Sequence, residues 1–176
     1  MDTGGRSMSP MLTFWTIGHS NVDAEVLFDL LGSQGIDVLV DVRSLPYSQF
    51  APQANREVLE SISKRRGIRY CFQGTNLGGR PHNRDLFLPN GKPDYDQMQN
   101  EDNFRQGIGF LHDLAADHHV CLMCSEEDPA GCHRGLLVAK TLVEAGHRVV
   151  HIRHDGTTET QEQMMRRVTG GQLMLF

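Results

Sequence analysis

The segment with the clearest potential for chemistry is Cys124-Ser-Glu-Glu-Asp-Pro-Ala-Gly-Cys132-His133-Arg134. Cys124 ends a short apolar run that is typical of a buried strand, and Cys132 stands at the predicted start of a helix. Backbone amides and the helix dipole at such a position favour anions and lower the pKa of a thiol. We therefore predict a thiolate nucleophile at Cys124 or Cys132, with His133 as its base and Arg134 as a bidentate anion ligand.

Three other interpretations of this segment stay open. Zinc could bind the two cysteines and His133, but a structural zinc site needs a fourth ligand, and Cys121 faces away if the strand is regular. The two cysteines could instead form a redox pair if the intervening loop folds back. They could also be small buried residues only, with Arg134 paired to Glu126.

Two further motifs follow other predicted strands. Asp41-Val-Arg43 offers an acidic group and a cation, which could act on a substrate or form a structural ion pair with each other or with Arg134. Gly18-His19-Ser20 offers an imidazole and a hydroxyl in a small turn, although Ser20 could equally cap the next helix.

Glycines and arginines add the features of an anion site. Leu77-Gly78-Gly79-Arg80-Pro81 could bring backbone amides against a phosphate, or could be a plain turn. Several arginines collect near one predicted edge of a chain whose net charge is −5, which favours an anionic substrate. The catalytic candidates are Asp41, Cys124, Glu126, Cys132 and His133, and the substrate-binding candidates are Gly18, His19, Ser20, Arg43, Gly78, Gly79, Arg80 and Arg134.

The elements that must position these residues are short strands alternating with helices. This order predicts an α/β fold in three layers, Rossmann-like, with a mostly parallel sheet of about five strands and helices on both faces. The carboxyl ends of parallel strands then gather the motifs at one edge. Gly74–Asp102, with its three prolines, is expected to form a loop or lid. The predicted strands are Leu12–Ile17, Val38–Val42, Ile68–Phe72, Val120–Cys124 and Val149–Ile152, and the predicted helices include Arg56–Arg66, Phe104–Ala116 and Gly135–Ala145.

We divide the chain into a disordered tail (1–10), a single α/β domain (11–168) and a flexible C-terminal peptide (169–176). Within that peptide, Gln172, Leu173, Leu175 and Phe176 resemble the short segment by which bacterial repair and replication proteins bind the sliding clamp. They are the predicted partner-binding residues. The alternative is that the peptide packs on its own domain.

Composition limits the class of protein. With 39% hydrophobic and 22% charged residues the chain can bury a globular core, and its apolar runs are too short to cross a membrane. Four cysteines without a secretory signal predict reduced thiols and a cytoplasmic location. These residues specify no particular cofactor or metal.

Taken together, Thr16-Ile-Gly-His-Ser20, Asp41-Val-Arg43, Leu77-Gly-Gly79 and the Cys124–Arg134 segment resemble the domain of unknown function family 488, over about Leu12 to Ile152. The resemblance implies an α/β domain in which these motifs form one site, and it carries no reaction. We predict an enzyme that acts on nucleic acid or a nucleotide-like anion, in DNA repair or base processing. The alternatives are a non-catalytic nucleic-acid or clamp-associated adaptor, and a thiol-dependent redox or transferase enzyme.

Overall fold

The computed structural model describes residues 10–170. All but the last residue of the predicted N-terminal tail, and the whole of the Gln172–Phe176 peptide, lie outside the described residues. Both stay predictions.

A six-stranded sheet forms the middle layer of the molecule. Its strand order is β3-β2-β4-β1-β5-β6, and all neighbouring pairs are parallel except β5 and β6. The predicted α/β fold with a mostly parallel sheet is confirmed, with one strand more than the five expected. The strands are β1 (Thr13–Gly18), β2 (Val38–Asp41), β3 (Arg69–Phe72), β4 (Val120–Cys124), β5 (Arg148–Ile152) and β6 (Thr158–Thr160).

Helices cover both faces of the sheet. Helices α1 (Ala24–Ser33) and α2 (Arg56–Arg66) pack on one face, and α2 has the bounds that the sequence predicts. The other face carries α5 (Asp102–Ala115), α6 (Lys140–Glu144) and α7 (Gln161–Val168). The expected helix Gly135–Ala145 is divided, because Arg134–Ala139 forms a π-helical stretch before α6. Such stretches are frequent at functional sites.

Alternating strand residues feed two separate apolar cores, as a pleated strand requires. In β4, Val120, Leu122 and Cys124 face the core beneath α5 and α6. Cys121 and Met123 face the opposite core beneath α1 and α2. The strand therefore keeps Cys121 away from the face that holds Cys124.

The segment Gly74–Asp102 is more ordered than a loop. It contains two one-turn helices, α3 (Gly74–Leu77) and α4 (Tyr95–Met98), and a 3-10 turn at Arg84–Leu86. Leu77, Leu86 and Met98 are buried in the core beneath α5, so three points along the segment are anchored.

The chain reverses its direction of travel across the sheet between β1 and β4. The connection after β1 leads through α1 to β2 on one side, whereas the connection after β4 leads to β5 on the other. Gly18 pairs with Cys124 in register, so both strands end at the same level. In open α/β sheets the crevice beyond such a reversal is the usual place for a ligand.

No helix within residues 10–170 is both long and apolar enough to cross a membrane.

Candidate functional site

The crevice between β1 and β4 is filled by the chain itself. The backbone N–H groups of His19 and Ser20 donate to the carbonyl oxygens of Cys124 and Ser125, at 2.9 and 2.7 Å. A Cβ atom at Gly18 would lie 1.7 Å from the carbonyl oxygen of Glu126, so only glycine permits this approach. Space for a ligand must therefore lie beside this point of the edge.

His19 is buried and held in one protonation state. Its Nε2 lies 3.1 Å from Nη1 of Arg43, and since a guanidinium only donates, Nε2 must accept. Its Nδ1 then donates to the carbonyl oxygen of Ser20 at 2.9 Å. Burial, with a smaller contribution from Arg43, lowers the pKa of His19 and keeps the ring neutral. Ser20 itself has a φ of 40°, a conformation that is uncommon for residues other than glycine.

Asp41 and Arg43 form a buried bidentate ion pair. Arg43 donates from Nε to Oδ1 of Asp41 at 2.9 Å and from Nη2 to Oδ2 at 2.6 Å. The hydroxyl of Tyr70 donates to Oδ2 at 2.7 Å. Burial opposes the charge of Arg43, but the contacts with Asp41 outweigh it and raise the pKa of the guanidinium. The ion pair between Asp41 and Arg43 that we considered in the sequence is therefore present.

Cys124, Cys132 and His133 form the second cluster of the edge. The Nε2 of His133 lies 3.0 Å from the carbonyl oxygen of Val42, to which it must donate. The other nitrogen, Nδ1, faces Sγ of Cys124 at 3.5 Å and Sγ of Cys132 at 3.9 Å. The three ligand atoms lie within 4.8 Å of one another, and all three residues are buried. We call this group the thiol–imidazole centre.

The two thiols of the centre differ in acidity. A hydrogen bond from Cys132 lowers the pKa of the Cys124 thiol despite its burial. The same hydrogen bond, together with burial, raises the pKa of Cys132. A negative charge at the centre therefore resides on Cys124. Tyr95 lies near both sulfurs, and its pKa is raised by burial and by their proximity.

Arg134 is fully buried but has no acidic partner among residues 10–170. Its Nη1 donates to the hydroxyl of Thr16 at 2.6 Å, and its Nη2 donates to the carbonyl oxygens of Glu126 and Glu127 at 2.8 and 2.7 Å. Its Nε has no hydrogen-bond partner. Burial lowers the pKa of Arg134, and the nearby cysteine thiols oppose that shift. Arg134 does contact Glu126, as we considered, but through the backbone carbonyl oxygen of Glu126, because Glu126 is an exposed residue.

Thr16 extends from Arg134 into a buried polar chain. The hydroxyl of Thr16 lies 2.7 Å from Nδ1 of His151, whose Nε2 lies 2.7 Å from Oε1 of Gln161. Gln161 in turn donates to the carbonyl oxygen of Gly135 at 2.9 Å. Burial, reinforced by Arg134, lowers the pKa of His151 to about 4. The ring is therefore neutral near pH 7.

The two-glycine loop packs against the thiol–imidazole centre. A Cβ atom at Gly79 would lie 2.5 Å from Cγ of His133, and one at Gly78 would lie 2.4 Å from Oγ of Ser44. The amide of Arg80 donates to that same Oγ at 3.0 Å. These glycines bring the backbone against protein side chains, whereas the sequence suggested approach to a phosphate.

A cleft of about 580 Å³ opens on the far side of this loop. It lies between the ends of β2 and β3, the anchored segment and the start of α5. Gly78 and Arg80 belong to its wall, so one residue, Gly79, separates the cleft wall from His133. Other polar or charged residues of the wall are Ser44, Asn76, His82, Asn83, Glu101 and Asn103.

The structure thus brings most of the predicted site residues to one edge. His19, Asp41 and Arg43 form one buried cluster, and Cys124, Cys132 and His133 form the adjacent one. Gly18, Gly78 and Gly79 supply close backbone contacts, Arg134 and Ser20 are held by backbone groups, and Arg80 and Glu126 are exposed.

Sequence reasoning did not identify four polar partners of this edge, namely Tyr70, Thr16, His151 and Gln161. His151 could have been identified from the sequence, because it is the polar residue among the apolar residues of the strand Arg148–Ile152. Tyr70 carried none, since a tyrosine in a strand needs no special partner.

The fold and the site define a parallel α/β protein with a buried thiol–imidazole centre at the carboxyl edge of its sheet. Within that class the chain belongs to the family described as Domain of unknown function DUF488, whose family model matches residues 23–141. The match includes the Asp41, two-glycine and Cys124–Arg134 motifs. No curated protein and no solved structure matches the chain.

Proposed function

We propose that the protein is an enzyme acting on a nucleic-acid strand or nucleotide-like anion, which binds in the cleft and reacts at the thiol–imidazole centre. One observation carries the proposal. The Nδ1 atom of His133 faces two sulfurs, the same imidazole packs against Gly79, and the neighbours of Gly79 line the cleft. The reactive groups and the ligand space therefore share one wall.

The charge of Arg134 supports a thiolate at this centre. A buried cation without a carboxylate partner is costly unless another anion compensates it. The cysteine thiols of the centre raise the pKa of Arg134 against the effect of its burial. In the proposal Cys124 carries the negative charge, Cys132 donates its S–H to it, and His133 exchanges the proton.

The cleft and its surroundings support an anionic, base-containing substrate. Arg80 is exposed on the cleft wall beside amide side chains that can bind phosphate and base edges. Leu45, also in the wall, is followed by Tyr47 and Phe50, which are 54% and 84% exposed. Exposed aromatic side chains suit the stacking of unpaired bases. DNA repair or base processing in the cytoplasm is the setting we propose.

The nearness of the two sulfurs favours a second candidate, a thiol-dependent redox or transferase enzyme without a nucleic-acid partner. This candidate predicts no salt-dependent binding of oligonucleotides. The first candidate predicts affinity that falls steeply as salt rises, because bound phosphates release counterions.

The test uses a fluorescently labelled single-stranded oligonucleotide and the full-length protein. We expect Arg80→Ala to weaken binding on the order of tenfold and to reduce the salt dependence by about one charge. Arg148→Ala is the matched control, since Arg148 is exposed at the opposite end of β5. It should bind like the wild type.

Cys124→Ser separates an enzyme from an adaptor. We expect it to bind the oligonucleotide normally but to abolish conversion, followed by mass spectrometry of the oligonucleotide and of mononucleotides. If the wild type binds but converts none of these, the protein is an adaptor. If it does not bind them at any salt concentration, the substrate class is wrong.

A further inference from the structure

We propose that Cys124, Cys132 and His133 bind a single zinc ion, with a fourth coordination position that can take an anionic group. Binding of the metal does not depend on the proposed function. With zinc bound, both cysteines and Nδ1 of His133 are ligands, so the metal, and not a free Cys124 thiolate, would activate the proposed substrate at this centre. The argument depends on the arrangement of donors, on what holds them and on the charges around them.

The donor atoms have the spacing of a tetrahedral site. Zinc binds sulfur at about 2.3 Å and imidazole nitrogen at about 2.0–2.1 Å, so tetrahedral angles place nitrogen and sulfur about 3.5 Å apart. The Nδ1 atom of His133 lies 3.5 Å from Sγ of Cys124 and 3.9 Å from Sγ of Cys132. A shift of about 0.4 Å would bring Sγ of Cys132 to that nitrogen–sulfur distance, and the two sulfurs lie within 4.8 Å of each other.

The convergence of both sulfurs on one nitrogen is the arrangement of metal ligands. A neutral imidazole has one lone pair at Nδ1 and accepts one S–H donor, so without a metal the second sulfur can hydrogen-bond only the first. A metal ion satisfies all three donor atoms at once. Burial strengthens the point, because Cys124, Cys132 and His133 are 6%, 4% and 8% exposed and have little access to water.

The orientation of His133 is that of a metal ligand. Its Nε2–H donates to the carbonyl oxygen of Val42, which directs the lone pair of Nδ1 toward the sulfurs. Metal-binding histidines are fixed by such a partner on the second nitrogen. Gly79 packs closely against the same ring, since a Cβ atom there would lie 2.5 Å from Cγ of His133.

The donor set selects the metal. Two thiolates and one imidazole suit zinc, whereas magnesium and calcium prefer oxygen ligands. Zinc sites with three protein ligands are typically catalytic and leave one position open. Among residues 10–170 no fourth cysteine, histidine or carboxylate joins the group.

Arg134 determines what the open position attracts. One zinc ion and two thiolates have no net charge, so the positive charge of Arg134 remains without compensation. An anionic fourth ligand of the zinc ion would compensate the positive charge of Arg134. A phosphate oxygen of the proposed substrate has that charge, and this links the buried arginine to the substrate class.

The test is zinc binding by the purified full-length chain, measured by elemental analysis and by the visible absorption of the cobalt-substituted protein. We expect one zinc ion per chain in the wild type. Cys124→Ser and Cys132→Ser should each weaken zinc binding at least on the order of 100-fold, the upper end of what loss of an outer partner costs. Cys71→Ser is the matched control, because Cys71 is a free, half-buried thiol on β3. It should bind zinc like the wild type.

A second measurement needs no variant and covers the case in which the serine variants fail to fold. In the native wild type, the buried Cys121, Cys124 and Cys132 should be slow to react with a chromogenic thiol reagent, and a strong chelator should make two of these three thiols reactive. Absence of zinc uptake by the wild type, or equal uptake by all variants, would overturn the metal site. Turnover that continues in chelator-treated protein would also remove zinc from the reaction, while leaving the proposed substrate in place. Conversely, bound zinc without oligonucleotide binding would keep the metal site and remove the proposed function.

Discussion

Arg43 and Arg134 are buried at the same edge of one sheet and are neutralised in different ways. Arg43 is 3% exposed and forms two hydrogen bonds with the carboxylate of Asp41. Arg134 is 0% exposed, and its partners are a hydroxyl and two backbone carbonyl oxygens. The charges of Asp41 and Arg43 cancel each other, whereas, in the part of the chain that the structure describes, the positive charge of Arg134 has no carboxylate to cancel it and lies beside two cysteines.

The difference separates a structural cluster from a reactive one. A buried ion pair whose hydrogen bonds are all made has little left to offer a substrate. A buried cation that faces thiols and dipoles favours a negative charge nearby, as a thiolate or as a bound anion. Under the proposed function we therefore expect Asp41 and Arg43 to support the loop and the cysteines next to Arg134 to carry the chemistry.

The largest loss of stability is expected from Asp41→Asn. It leaves Arg43 buried without its carboxylate, and breaking a buried pair from one side costs about 3–5 kcal/mol. Urea denaturation should show this loss. Asp29→Asn is the control, since the exposed Asp29–Arg66 pair at 2.9 Å should contribute at most about 1 kcal/mol. Equal losses of stability in Asp41→Asn and Asp29→Asn would contradict the structural role that we give to the Asp41–Arg43 pair.

A second effect concerns pH and tests how far the charge of Arg134 reaches. Burial in the folded protein lowers the pKa of His151 to about 4, whereas the pKa of a free histidine side chain is 6.5. Between these values the unfolded chain takes up a proton that the folded chain does not, so stability falls as pH falls. The loss should approach about 3 kcal/mol by pH 4, at about 1.4 kcal/mol for each pH unit.

The measurement is the free energy of unfolding of the wild type and of His151→Gln between pH 7 and 4. The variant should lose this component of the pH dependence, whatever its absolute stability. Because Arg134 also lowers the pKa of His151, Arg134→Met should show a smaller decline than the wild type. An unchanged decline would mean that burial alone sets the pKa.

Arg134→Met should cost less stability than Asp41→Asn. It removes donors to Thr16 and to two carbonyl oxygens, and Cys124 can take up a proton when the cation is lost, so no charge stays unpaired and the cost is about 1–3 kcal/mol. Hydrogen exchange should show faster opening of residues 125–128, which those carbonyl contacts hold. A loss larger than that of Asp41→Asn would show that Arg134 is mainly structural.

The smallest effect on the edge is expected from deleting Gln172–Phe176. If this peptide binds the sliding clamp, the deletion removes affinity for the clamp while the melting temperature and zinc content stay unchanged. Surface-immobilised clamp provides the measurement. A large fall in melting temperature would instead support the alternative that the peptide packs on its own domain.

The sequence predicts the elements whose apolar spacing is strong and misses those whose stability comes from tertiary contacts. Helix α2 ends at Gly67, which has a φ of 68°, and both its bounds follow from the pattern. Strand β6 is the polar triplet Thr158–Thr160, formed only because β5 lies beside it. The stretch Arg134–Ala139 is apolar enough to be predicted as helical, but its residues do not distinguish a π-helix from an α-helix.

For the site, residue types and strand ends predict which side chains meet but not what they contact. The Asp41–Arg43 pair was one of two interpretations because the residues are two apart and their charges are opposite. The partners of Arg134 could not be predicted, since carbonyl positions depend on the turn at Glu126 and Glu127. The cleft likewise depends on how Gly74–Asp102 folds back.

Gly79 has a consequence for interpreting related sequences. Any side chain there would force the imidazole of His133 to move, since the added atom would lie 2.8 Å from Nδ1. If the thiol–imidazole centre has the proposed role, a larger residue at this position in a related chain predicts loss of that role even when both cysteines are kept.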